Sequence, residues 1–286
     1  KNKKNQYGKM IAMLRDPIIP EEITDNSARF YYYRSVYLNN IPFNEEWIIR
    51  TPTYWNKIDT YLEKLTVKHH DSIIASIDRI IDQIPENTET FKFTVIKIFN
   101  KYVNSKLMAA GNVYVHMASK YYLSGKAFWA NEKQIQNIED RFLKMKYNVL
   151  GANAIDFNVK TSEETEVKLL EQSQAEYTIL FFWDSDCGHC LETAEAFIKY
   201  FPNKPADATI LGIHTNLDRI DEFPEIVESE NHPWTNFQMI DPSSKIFYDI
   251  YSTPVIYILD KDNKILAKRL SVEQTIGYID DLLKEE

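Results

Sequence analysis

Residues 176–201 read EYTILFFWDSDCGHCLETAEAFIKYF: a run of strand formers, a polar turn and an amphipathic helix. The first part is apolar at nearly every position and rich in aromatic and β-branched residues, the pattern of a strand covered on both faces. Asp184, Ser185 and Asp186 favour a turn. In the third part Cys190, Ala194, Phe197 and Phe201 recur at spacings of four and three, which predicts a helix with one face in the core. The chain's two cysteines, Cys187 and Cys190, both fall at this strand-to-helix junction.

A Cys-x-x-Cys pair admits three readings. Structural zinc needs four ligands, and only scattered histidines could complete the set. A disulfide between residues three apart closes a tiny loop and adds little stability. A redox dithiol at the end of a strand–helix connection is the strongest reading. Cys187 falls at the helix N-terminus, where unpaired backbone N–H groups and the helix dipole favour a thiolate. Cys190 lies one turn in, at the head of the core-facing stripe. One exposed, activated sulfur and one shielded sulfur suit an attacking and a resolving thiol. Between them, Gly188 precedes His189, whose imidazole can stabilise a Cys187 thiolate, while Asp184 and Asp186 oppose it.

Strands and helices alternate on either side of this junction. LGANAIDFNV (150–159) is a glycine break and a short strand. ATILGIHTN (208–216) and FQMID (237–241) read as strands, DRIDEFPEIVESE as a helix interrupted at Pro224, and SSKIFYDIY (243–251) as a short helix. PVIYILD (254–260) and KILAKRL (264–270) form a hairpin across Lys261-Asp262-Asn263, and SVEQTIGYIDDLLKEE (271–286) is a closing helix. Residues 150–286 are thus expected to form an α/β domain with a central mixed sheet and helices on both faces.

Residues 1–149 read differently. Ile73, Ile74, Ile77, Ile80, Ile81 and Ile84 lie at helical spacing, as do Tyr54, Ile58, Tyr61, Leu62 and Leu65 behind Pro52. TFKFTVIKIFNKYV (90–103), VYVHMASKYYLSG (113–125, with Gly125 as a C-cap) and EKQIQNIEDRFLKM (132–145, with Ile135, Ile138, Phe142 and Met145 on one stripe) complete an all-α domain. The tyrosines of RFYYYRSVYLNN (29–40) suit a half-buried packing face. His69 and His70 are adjacent, so they should point apart and make a poor metal pair.

The charge balance breaks at the same place. Residues 1–149 hold 22 Lys+Arg against 16 Asp+Glu, and residues 150–286 hold 11 against 26. The +6 and −15 halves make up the net −9. An acidic second half argues against nucleic acid as a partner. No apolar run reaches the length of a membrane span.

FWDSDCGHC resembles the F-W-x-x-x-C-x-x-C signature of the thioredoxin superfamily, and Ser252-Thr253-Pro254 before VIYILD resembles its cis-proline loop. The likeness covers residues 150–286. The strand and helix at 208–230 are similar to the insertion of the extracytoplasmic branch that holds ResA- and TlpA-like proteins. RTPTYWNKIDTYLEKL, NTETFKFTVIKIFNKYVNSK and GNVYVHMASKYYLSGKAFW resemble a helical domain of unknown function found before such domains in exported proteins of Bacteroides and relatives. The resemblance implies a thioredoxin-like domain behind an all-α domain, and an exported thiol–disulfide oxidoreductase of the periplasm or cell envelope. Its signal peptide would have been removed; the basic opening KNKKNQYGKM has no apolar region behind it. Catalysis would rest on Cys187 and Cys190. Trp183, Gly188, His189, Thr253 and Pro254 would support the site and receive the substrate chain, with a cis bond at Thr253–Pro254. Protein or peptide disulfides would be the substrates and a membrane-bound electron donor the partner, with no organic cofactor or metal. The expected direction is reduction; an oxidase or isomerase, or a client-binding module centred on the helical domain, are the alternatives. A peroxiredoxin is disfavoured because no Thr stands three residues before Cys187. Phe181 stands where cytoplasmic thioredoxins carry a buried acid, and Thr193 where many ResA-like proteins carry glutamate. The sequence sets no oligomeric state.

Overall fold

The computed structural model describes residues 5–284. The basic residues 1–4 and the last two residues of the expected closing helix lie outside them. The chain divides into two compact units between Phe142 and Leu143.

The first unit is helical. Its elements are α1 (Gln6–Leu14), α2 (Asn26–Val36), a 3-10 turn (Glu46–Arg50), α3 (Pro52–Lys64), α4 (His70–Ile81), α5 (Glu89–Val103), α6 (Ala110–Met117) and the start of α7 (Glu132–Met145). The predicted stripes form the core: Tyr54, Ile58, Tyr61 and Leu62 of α3 and Ile73, Ile77, Ile80 and Ile81 of α4 are all buried. Side-chain caps start α1 (Asn5), α2 (Asp25) and α5 (Thr88), each oxygen accepting an N–H three residues on. Two expectations shift. The helix read over 113–125 begins at Ala110 and passes into a π turn at Ala118–Tyr122 before Gly125 turns left-handed at φ 83°. The stripe of α7 is only half-buried.

The second unit holds a seven-stranded sheet: β1 (Asn158–Lys160), β2 (Glu166–Lys168), β3 (Tyr177–Trp183), β4 (Ala208–His214), β5 (Thr235–Met239), β6 (Val255–Asp260) and β7 (Ile265–Lys268), in the order β2-β1-β5-β4-β3-β6-β7. Strands β3, β4 and β5 are parallel; β6 runs antiparallel to both β3 and β7, and β1 antiparallel to β5 and β2. Between them lie α8 (Gly188–Tyr200), α9 (Phe223–Glu230) and the short α10 (Ser244–Phe247), and α11 (Val272–Leu282) follows β7. All seven residues of β3 are buried, as its apolar run predicts. Leu180 and Phe182 pack with Leu211, Ile213, Phe237, Tyr248 and Tyr257 on one face. Phe181 packs on Phe197 of α8 on the other.

Strand 208–214 corrects an expectation. Read as part of an insertion, it lies at the centre of the sheet and pairs with β3 along its full length. Beyond β4 the sheet continues outward through β5, β1 and β2. Gly212, opposite Asn236 in the β4–β5 pairing, leaves room for two side chains: a Cβ there would sit 2.1 Å from Asn236 Oδ1 and 2.8 Å from Trp234 Nε1. Strand β2 gave no apolar alternation to read. The segment before the sheet belongs to the second unit because it docks on it: Tyr257 donates to Asn148 Oδ1 at 2.8 Å, Lys268 donates to the same residue, and Gly151 N–H bonds Ile265 O.

Candidate active site

Strand β3 ends at Trp183, the turn 184–186 follows, and Cys187 is the N-cap of α8. Cys190 N–H and Leu191 N–H both bond the Cys187 carbonyl, closing the first turn. Both cysteines are free thiols. Cys190 is fully buried with Ala194 and Phe197, as the stripe predicts, while Cys187 stays partly exposed. The two thiols are driven apart. Burial raises the Cys187 pKa, but hydrogen bonds from the Cys190 side chain and N–H, from Thr253 and from the His189 N–H outweigh it and hold it below that of a free thiol. Burial, together with the neighbouring Cys187, pushes Cys190 up. The partly exposed sulfur is thus the more acidic of the two and the buried one the less acidic.

The loop before β6 closes over the pair. The Thr253–Pro254 bond is cis, and the Cys187 thiol donates to the Thr253 carbonyl at 3.4 Å. Thr253 and Pro254 are half-exposed beside the dithiol. Three other expected site residues take different places. Trp183 is fully buried, edge-on to His214 at 5.1 Å and His232 at 4.9 Å, behind the turn that leads to Cys187. The His189 side chain is 87% exposed and pairs with Glu192 at 3.3 Å; what reaches Cys187 is its backbone N–H. Gly188 is exposed with open space where a Cβ would stand. Thr193 turns its hydroxyl back to the His189 carbonyl at 2.8 Å. Phe181 sits in an aromatic floor with Phe197 and Trp234, two turns along the stripe from Cys190.

The acidic turn is not free. Arg219 donates to Asp186 at 2.6 Å and to Ser185 at 3.0 Å, and Asn216 donates to Asp184 at 3.2 Å and Asp186 at 3.3 Å. Ser185 also bonds Nε2 of His214, 3.2 Å away at the end of β4 and fully buried. Arg219, Asn216, His214 and Gln238 were not legible as site residues. The one available signal was a histidine closing an otherwise apolar strand level with the cysteines.

In the first unit, the histidine pair departs from expectation. His69 precedes α4 in extended conformation and is not part of the helix, so its ring does not follow the helical turn. The two rings lie 4.1 Å apart, and donor atoms of His69, His70 and Asp71 fall within 4.8 Å of one another.

Residues 150–268 match the AhpC/TSA family, and residues 1–148 match the domain of unknown function DUF5106. No curated protein matches the chain. Among solved structures, a thioredoxin-like protein from Bacteroides caccae aligns over 93% of this chain and 98% of its own at 20% identity, with a TM-score of 0.60. A domain of a possible thiol–disulfide isomerase from Cytophaga hutchinsonii aligns over 48% of this chain and 95% of its own at 33% identity (TM-score 0.42). The thioredoxin domain of a thiol–disulfide oxidoreductase from Bacteroides vulgatus aligns over 47% and 97% at 21% identity (TM-score 0.42). The sheet, the dithiol at the head of α8 and the cis-proline loop are those of a thioredoxin-like domain. With more than half its length matched by DUF5106, the chain belongs to the family of proteins that carry this helical domain, joined here to a thioredoxin-like domain of AhpC/TSA type.

Proposed function

We propose that the chain is an exported thiol–disulfide oxidoreductase that reduces protein or peptide disulfides. One observation carries this: a partly exposed sulfur with a lowered pKa at a helix N-terminus, one turn from a buried sulfur with a raised one. The Cys187 thiolate attacks one sulfur of a substrate disulfide. A mixed disulfide forms, and the displaced substrate thiolate takes up a proton. Cys190 then loses its proton and attacks Cys187, releasing the second substrate thiol. Two electrons and two protons pass to the substrate, and the Cys187–Cys190 disulfide is reset by a partner dithiol, for which a membrane-bound carrier is the natural source. The Thr253–Pro254 loop receives the substrate backbone beside Cys187. Peroxide chemistry of the kind the AhpC/TSA name evokes is disfavoured by Asp184, which stands three residues before Cys187 in place of threonine.

A second reading, disulfide oxidase or isomerase, is favoured by the same lowered pKa, since a stabilised thiolate favours the dithiol form and makes the disulfide more oxidising. Equilibration with glutathione decides between them. We expect a potential between about −270 and −180 mV, with the reductase at the negative end. Insulin reduction by the full chain, lost in Cys187→Ser, supports the reading; no exchange with glutathione at all overturns it. Fractionation of the producing cells tests export, and recovery in the cytoplasm contradicts it.

A further inference from the structure

We propose that His214 is a positioning residue for the dithiol: its neutral, buried imidazole accepts the Ser185 hydroxyl and, through Ser185 and Arg219, holds the acidic turn away from the Cys187 thiolate. This rests on the exchange reading above.

The direction of each hydrogen bond in the chain follows from its ends. Gln238 Nε2 lies 2.8 Å from the Met239 carbonyl and 3.2 Å from the Asn216 carbonyl. Both are acceptors only, so the amide nitrogen must face them and Oε1 must face His214. Oε1 accepts only, so His214 Nδ1, 2.7 Å away, carries the proton. In the neutral ring Nε2 is then an acceptor, and Ser185 donates its hydroxyl to it. That fixes the Ser185 lone pairs toward Arg219 Nη1, which donates to Ser185 and to Asp186. From Gln238 to Asp186 every donor has an acceptor when the imidazole is neutral in this tautomer. A protonated Nε2 would reverse the Ser185 bond, leaving Ser185 to accept from both His214 and Arg219 with its own proton turned away from the chain.

The consequence reaches Cys187 by charge. Asp184 and Asp186 lie within three residues of the nucleophile, and unpaired carboxylates there would raise its pKa. Instead Arg219 and Asn216 hold both against the loop that follows β4, where Thr215 also binds the Trp183 carbonyl through its N–H and hydroxyl. Cys187 N–H bonds the Asp184 carbonyl, so the backbone of the nucleophile belongs to the same clamped turn.

The test is the pH profile of Cys187 alkylation by iodoacetamide in the reduced full chain, with folding checked by circular dichroism. Ser185→Ala and His214→Phe are expected to move the profile to higher pH and slow alkylation at neutral pH by about three- to tenfold, one pKa unit being tenfold. The two together are expected to do no more than either alone, because they break one link. Arg219→Gln, which also frees a carboxylate, is expected to shift the profile further. His214→Gln, which restores an acceptor, is expected to return it toward the original. Unchanged profiles in folded Ser185→Ala and Arg219→Gln overturn the proposal, and Ser185→Ala keeps it testable if His214→Phe does not fold. The readout needs no turnover. Failed glutathione exchange in the unmodified chain therefore defeats the exchange reading, while unchanged variant profiles defeat this one.

Discussion

Acidification from pH 7.5 to 5.5 should destabilise the second unit through two buried histidines. His214 is fully buried and the His232 side chain is 1% exposed, stacked on Trp234 with ring centroids 4.6 Å apart. Burial holds both pKa values below that of free histidine, despite hydrogen bonds to Gln238 and Asn236 that act the other way. Around His214 stand Asp184, Asp186 and Arg219, with Trp183 and Phe223 closing the remaining sides. Above pH ~6.5 neither the folded nor the unfolded chain binds the extra protons, and stability is full. As pH falls through ~6.5 the unfolded chain takes them up and the folded chain does not. At pH 5.5 each wholly resistant histidine would cost about 1.4 kcal/mol, and partial charging and solvent screening bring the expected loss for the pair to about 1.5–2.5 kcal/mol. With a urea m-value of about 2 kcal/mol/M, the midpoint falls by roughly 1 M. Pulsed maleimide labelling of buried Cys190 across a urea series reads this in the second unit alone. The lowered carboxylates of that unit, Asp241 and Glu273, titrate below this window. Replacing His232 with Gln should roughly halve the fall. A midpoint that does not move between pH 7.5 and 5.5 would refute the reasoning.

Three further outcomes follow from the geometry. In the reduced protein, iodoacetamide should modify Cys187 far faster than Cys190, since Cys190 is buried and its pKa is raised; peptide mapping after brief labelling checks it. His189→Ala should shift the redox potential by less than ~30 mV, because the imidazole faces Glu192, whereas His189→Pro removes the N–H that stabilises Cys187 and should make the protein a stronger reductant by tens of millivolts. Equal shifts in the two variants would show that the imidazole acts and not the backbone. Gly212→Ala forces a Cβ against Asn236 and Trp234 and should destabilise the second unit by about 1–3 kcal/mol in urea denaturation; a neutral effect would mean that these side chains are loosely held.

The sequence carried the parts of this molecule that are written in period and spacing. The seven buried residues of β3, the Cys190–Ala194–Phe197 stripe and the isoleucine face of α4 stand where apolar periodicity puts them. So does Cys187, because a turn of Asp-Ser-Asp before an amphipathic run leaves little choice of helix start. The cis bond at Thr253 came from resemblance to a known loop and not from the residues alone. What could not be read depends on contacts between segments far apart in the chain. Ser185, His214, Arg219 and Gln238 meet only because β4 pairs with β3 on one side and with β5 on the other, and no local pattern marks them. Strand β2 has one apolar residue, Val167, between Glu166 and Lys168, too little to read as a strand without its pairing to β1. Trp183 is buried as the apolar strand predicts, but the two histidines that enclose it come from β4 and from the segment before β5, and its own strand does not announce them.

The central claim is that Cys187 is the attacking thiol and Cys190 the resolving one. Reaction of the Cys190→Ser chain with oxidised glutathione, read by intact mass and peptide mapping, tests it most directly. The account predicts a single stable glutathione adduct on Cys187, formed by the full population and released by dithiothreitol, while Cys187→Ser forms none at the same rate. An adduct that forms as readily on Cys190 in the Cys187→Ser chain would contradict it.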